Sequence, residues 1–176
     1  VATIMVLELK VPRSADLAAL RPLVPVFLTY VLSFIFLGIY WSDHHHMLHA
    51  TTRINGKILW ANLHLLFWLS LIPFVTGWMR ENHFASVPTA IYGCVLLFAA
   101  IAYTILQTTI IAGEGKHSRL AVAVGRDLKG KMSVALYCAA IPLAFVWQWA
   151  SDAIYVLVAA MWLIPDRRIE SRLDEP

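Results

Sequence analysis

The sequence predicts an all-α fold, a polytopic membrane protein built as a six-helix transmembrane bundle whose first helix is truncated. Three observations predict it. Of 176 residues, 60% are apolar and only 14% are charged, against roughly 25% in soluble domains. Mean hydropathy is +0.68. Divided by the roughly 20 apolar residues that cross a bilayer core, the chain holds about six crossings.

The elements follow in order. Val1 to Leu7 is an apolar stretch too short to span before Glu8 and Lys10 interrupt it, and with Pro12 as its stop it reads as the tail of a helix over about 1–12. Residues 22–42 are uncharged and close on the interfacial pair Tyr40 and Trp41, which predicts a second helix. A polar connection from Asp43 through the histidines to Arg53 and the turn-like Asn55-Gly56 leads to a third helix over 58–79, ending at Trp78 before Arg80-Glu81. The uncharged run from Phe84 to Gly113 predicts a fourth over 86–112, tilted because it is long. Glu114 to Lys131 is the most polar segment. Beyond it, Met132 to Pro165 is apolar except at Ser151-Asp152, predicting a tight hairpin of two short spans, 131–149 and 151–166. No linker or repeat divides these helices, so residues 1–176 read as a single six-helix domain. Pro73 and Pro142 fall inside spans, where each is a kink or a hinge.

Six helices place Arg53, Lys57 and the basic residues of 116–131 and 167–172 on one side, and only Lys10, Arg13, Arg21 and Arg80 on the other. By the positive-inside rule the first side is cytoplasmic, with both termini on it. The pI near 9.0 is accounted for by anionic membrane lipid, without nucleic acid. Cys94 and Cys138 lie in apolar runs and read as packing residues, not a disulfide framework.

Few residues suit chemistry. After Lys10 no ionisable Asp, Glu, Lys or Arg lies well inside a run except Asp152, expected at a turn; this lowers the case for a coupled transporter or exporter of small solutes, the alternative class. His44, His45, His46 and His49 with Asp43 form the densest group of possible metal ligands, and the spacing of His45 and His49 would let them share an ion on a helix. Interfacial and carbonyl-capping roles are the simpler reading. Asn62 and His64, in the first turns of the third helix, need partners: a neighbouring helix is the plain reading, with ion passage or haem ligation as alternatives. Gln107 invites the same interhelical reading. Trp41, Trp60, Trp78, Trp147 and Trp149 form an aromatic belt. There is no phosphate loop, no catalytic triad ordering, no paired carboxylates and no Thr-Val-Gly-Tyr-Gly filter, so neither catalytic residues nor a cofactor are expected.

Several short stretches resemble the transmembrane protein 175 family of potassium channels, known from endosomes, lysosomes and prokaryotes. Val1 to Pro12 resembles the end of that family's first helix. Tyr40-Trp41 with His44, Trp60-Ala61-Asn62-Leu63 and Ser70-Leu71-Ile72-Pro73-Phe74 resemble its second and third helices, and Tyr155 to Pro165 its sixth. The resemblance implies a passive potassium-permeable cation channel, a homotetramer in a prokaryotic plasma membrane, whose first helices line the pore. It implies that bulky aliphatic side chains form the constriction, which puts Thr3, Ile4 and Leu7 on the pore face. The family's Arg and Phe-Ser-Asp hallmark and the constriction's first isoleucine are expected just before Val1. Trp41, His44 and Asn62 are then expected to form the interhelical polar network that holds that hallmark.

Overall fold

The computed structural model describes residues 16, 21, 23–49, 51, 54–115, 118–124 and 127–163. Among these, six helices follow one another without a strand: α1 (Val24–His49), α2 (Gly56–Glu81), α3 (Ser86–Glu114), α4 (Arg119–Val124), α5 (Leu128–Leu143) and α6 (Gln148–Leu163). The expected helix over about 1–12 lies outside the described residues.

Helix starts are set by side chains that satisfy otherwise orphaned N–H groups. Asn55, in extended backbone, accepts the Ile58 N–H at 3.0 Å and starts α2. Asp127, held at φ 41°, accepts the Gly130 N–H at 3.1 Å and starts α5; a Cβ on Gly130 would run into that carboxylate. The tight turn between α2 and α3 places His83 and Phe84 at positive φ, and its amides bond back to the last carbonyls of α2.

At 26 and 29 residues, α2 and α3 are about 39 and 44 Å long, and among the described residues these two are long and apolar enough to cross a membrane by the usual length and composition test. They pack as an antiparallel pair around Leu65, Ile72, Leu96, Ala99 and Leu106, with Trp68 stacked on Phe98 at 4.6 Å. α5 and α6 have 16 residues each, about 24 Å. α5 runs antiparallel to α3: Ile141 lies beside Gly93, and Gly130 and Ser133 share a cavity wall with Tyr103 and Thr104. Continuing that register brings Leu128 level with about Leu106. The last two turns of α3, with Asn55 beside Gly113, therefore extend roughly 12 Å past the start of α5.

Three boundaries differ from the sequence reading. The second span does not stop at Ser42: α1 continues to His49, because no breaker intervenes and the added turns bury Met47 in the core. Within the polar segment 114–131, α4 forms a short helix that seats Leu120 against the bundle. The hairpin break is not at Ser151-Asp152. The chain turns at 144–147, two residues after Pro142, and α6 runs through both polar residues. Ser151 is tolerated inside the helix because its hydroxyl donates to the Ala140 carbonyl of α5 at 2.9 Å. Asp152 is half-buried in α6, and its two oxygens are sheltered without a hydrogen-bond partner among the described residues.

Candidate functional site

Two of the polar residues singled out in the sequence, His44 and Asn62, meet at the seam between α1 and α2, at the end of the bundle where the basic residues lie. His44 reaches across from α1, and its ring N–H donates to the side-chain oxygen of Asn62 on α2, with Nε2 and Oδ1 2.5 Å apart. The extension of α1 past Ser42 is what carries His44 onto this seam. The pair is partly buried, so loss of either partner leaves the other short of a hydrogen bond that water replaces only in part.

Trp41 lies one turn before His44 but faces outward, 67% exposed, and stacks on His45 with ring centroids 5.4 Å apart. His45 in turn stacks on His49 at 6.1 Å, so these three rings form a row along the outer face of α1. Among the described residues no three His, Cys, Asp or Glu side chains come together as a metal would require. His64 is paired within its own helix, not across to a neighbour as expected. Trp68 Nε1 donates to His64 Nε2 at 2.9 Å, the i, i+4 spacing placing one ring above the other. Gln107 is buried in α3. Thr3, Ile4 and Leu7 lie outside the described residues.

Sequence reasoning missed the bonds that hold the short hairpin. Trp162 Nε1 of α6 donates to Ser133 Oγ of α5 at 2.8 Å, and the Tyr155 hydroxyl of α6 donates to the Thr89 carbonyl of α3 at 3.2 Å. The available signal was the donors themselves, since a serine, tyrosine or tryptophan in an apolar helix needs a partner. Gly93 provides the seat for Tyr155: a Cβ there would collide with the phenol oxygen. Between α1, α3, α5 and α6, rings of Phe36, Tyr40, Tyr103, Tyr137 and Trp162 enclose about 20 Å³, room for one water.

None of these groups forms a nucleophile–base pair; the polar contacts tie helices together. The family model for the endosomal/lysosomal potassium channel TMEM175 matches residues 1–73, the part of the chain that includes His44, Asn62 and Pro73. A Chryseobacterium protein named a potassium channel is 50% identical over 175 residues, covering 99% of this chain and 91% of the relative. The chain belongs to the TMEM175 family. A Chamaesiphon minutus protein, also named a potassium channel, is 25% identical over 169 residues, 89% of this chain and 83% of its own length. The fold is likewise that of a crystallised protein from Chamaesiphon minutus, described as a homolog of the lysosomal potassium-selective channel TMEM175. The TM-score is 0.73 at 24% identity, covering 92% of this chain and 87% of that one. As a member of an ion-channel family, this chain is a membrane protein and not an enzyme.

Proposed function

We propose that this chain is the subunit of a passive potassium-permeable cation channel. The observation that carries this is its identity of 50% over 99% of its length to a relative named a potassium channel, joined to the TMEM175 match at residues 1–73. In this reading four copies assemble around their leading segments, and Thr3, Ile4 and Leu7 face the axis. Aliphatic collars at Ile4 and Leu7 sort monovalent cations by pore radius and by the cost of dehydration, with no carbonyl filter. Potassium is the permeant ion and no cofactor takes part.

The His44–Asn62 bond, which ties α1 to α2 within the part of the chain that the TMEM175 family model matches, supports the reading. In the proposed role the pair, flanked by Trp41, also bonds to a polar motif on the first helix. The basic end of the bundle faces the cytoplasm of a prokaryotic cell, where anionic lipid and the positive-inside rule favour it.

Leu7→Ala tests the proposed constriction. In full-length protein reconstituted in vesicles, widening the collar should lower the potassium-to-sodium permeability ratio about fivefold, the equivalent of roughly 1 kcal/mol of discrimination. Unchanged selectivity and unchanged flux in Leu7→Ala and Ile4→Ala together would remove these residues from the pore.

A further inference from the structure

The outward face of α5 carries a row of exposed residues, Leu128, Lys131, Met132, Ala135, Ala139 and Pro142, while Ser133, Tyr137 and Ala140 turn into the bundle. Every member of the row is apolar except Lys131. Its ammonium has no acidic partner among the described residues. The nearest acid in sequence, Asp127, is engaged as the cap of Gly130. The opposite end of the bundle differs: there Arg80 lies 3.6 Å from Glu81.

Depth gives the row its meaning. α5 is about 24 Å long, shorter than the roughly 30 Å hydrocarbon core, and its start falls roughly 12 Å short of the ends of α2 and α3. Lys131, one turn inside α5 and level with about Tyr103 of α3, thus has its Cα several ångströms within the acyl region, about the reach of a lysine stem from its edge. A lysine so placed extends its stem toward the interface, and a lone ammonium there favours an anion. Leu128, one turn before it on the same face and 71% exposed, adds apolar surface beside it. Lipid supplies both complements, since its phosphate matches the ammonium and its acyl chain covers the apolar row.

We propose that this face of α5 holds an anionic phospholipid of the leaflet at the basic end, with its phosphate on Lys131 and one acyl chain along Met132, Ala135 and Ala139. A zwitterionic lipid is disfavoured because its own cation would meet Lys131, which has no acidic partner among the described residues. The proposal rests on membrane insertion and is independent of ion conduction.

The test titrates the full chain in detergent with phosphatidylglycerol or phosphatidylcholine of identical acyl chains and counts bound lipid by native mass spectrometry. The wild type should retain phosphatidylglycerol about fivefold more tightly, the size of one lysine's attraction to an anionic headgroup. Lys131→Gln should abolish most of that preference and Lys131→Arg should keep it. Met132→Glu, which sets an acid beside the lysine, serves as a second variant and should also abolish it, while Arg80→Gln at the far end should not. Equal retention of the two lipids by the wild type would overturn the proposal, as would an undiminished preference in Lys131→Gln or Met132→Glu. So would inorganic phosphate competing as well as the lipid, or near-complete oxidative cross-linking through Cys138 on the same face, which would mean that a second copy covers it.

Discussion

The α2–α3 pair and the α5–α6 pair solve the same packing problem in different ways. α2 and α3 are long, meet along an apolar seam of Leu65, Ile72, Leu96 and Leu106, and end in a polar turn beside Arg80 and Glu81. α5 and α6 are 16 residues each and turn through the apolar residues 144–147. Three side-chain hydrogen bonds, from Ser151, Tyr155 and Trp162, hold this shorter hairpin to itself and to α3. The difference follows from the solvent. In lipid, burying one more leucine gains little over leaving it among acyl chains, so a short pair relies on close approach and on polar donors that have no better partner.

Substitutions that disturb one pair and spare the other sharpen this comparison, and a thermal melt in mild detergent reads them all. The largest effect is expected at Gly93, where a side chain must displace Tyr155. Gly93→Leu should cost about 3 kcal/mol or more, and Gly93→Ala in a Tyr155→Phe background should be milder than Gly93→Ala alone. A Gly93→Leu protein as stable as wild type would show that α6 does not sit on α3 as described. Next in size is Ser133→Ala, which strips the acceptor from Trp162 Nε1. It should cost about 1–2 kcal/mol, more than the loss of a typical exposed serine, because the indole donor is left in an apolar site.

A double-mutant cycle on His44→Ala and Asn62→Ala, the bond between α1 and α2, should give a coupling of about 0.6–1.7 kcal/mol, the range for polar pairs between membrane helices. A coupling of zero would reduce the pair to a passive contact. The smallest effect is expected at the polar turn: Arg80→Gln should change stability by no more than about 0.5 kcal/mol, since its partner Glu81 has a side chain 72% exposed. If Arg80→Gln cost more than Ser133→Ala, the contrast between the two pairs would be reversed.

How far the sequence could be read also divides along this line. α2 and α3 were legible because their uncharged runs are long and are bounded by Asn55-Gly56, by Arg80-Glu81 and by Glu114. The turn of the short hairpin was not, because in an apolar run a polar pair such as Ser151-Asp152 reads as a loop. In this hairpin the actual turn needs no polar side chain: Val146 and Trp147 N–H groups both bond to the Leu143 carbonyl, at 3.0 and 2.8 Å. His44 and Asn62 were legible singly as polar groups in need of partners. That they find each other was hidden, since they stand 18 residues apart and meet only because α1 continues beyond its apolar run. The row of Trp41, His45 and His49 on the outside of α1 became visible for the same reason.

Conduction is the claim on which the functional account rests. The most direct measurement is current across a planar bilayer containing the full-length protein, with potassium on both sides at unequal concentrations and no other permeant cation. A passive potassium channel should give a current that reverses near the potassium equilibrium potential and grows with driving force without a second, coupled ion. A flux that saturates and stops when a co-substrate gradient is removed, or no potassium current from correctly folded protein, would contradict it.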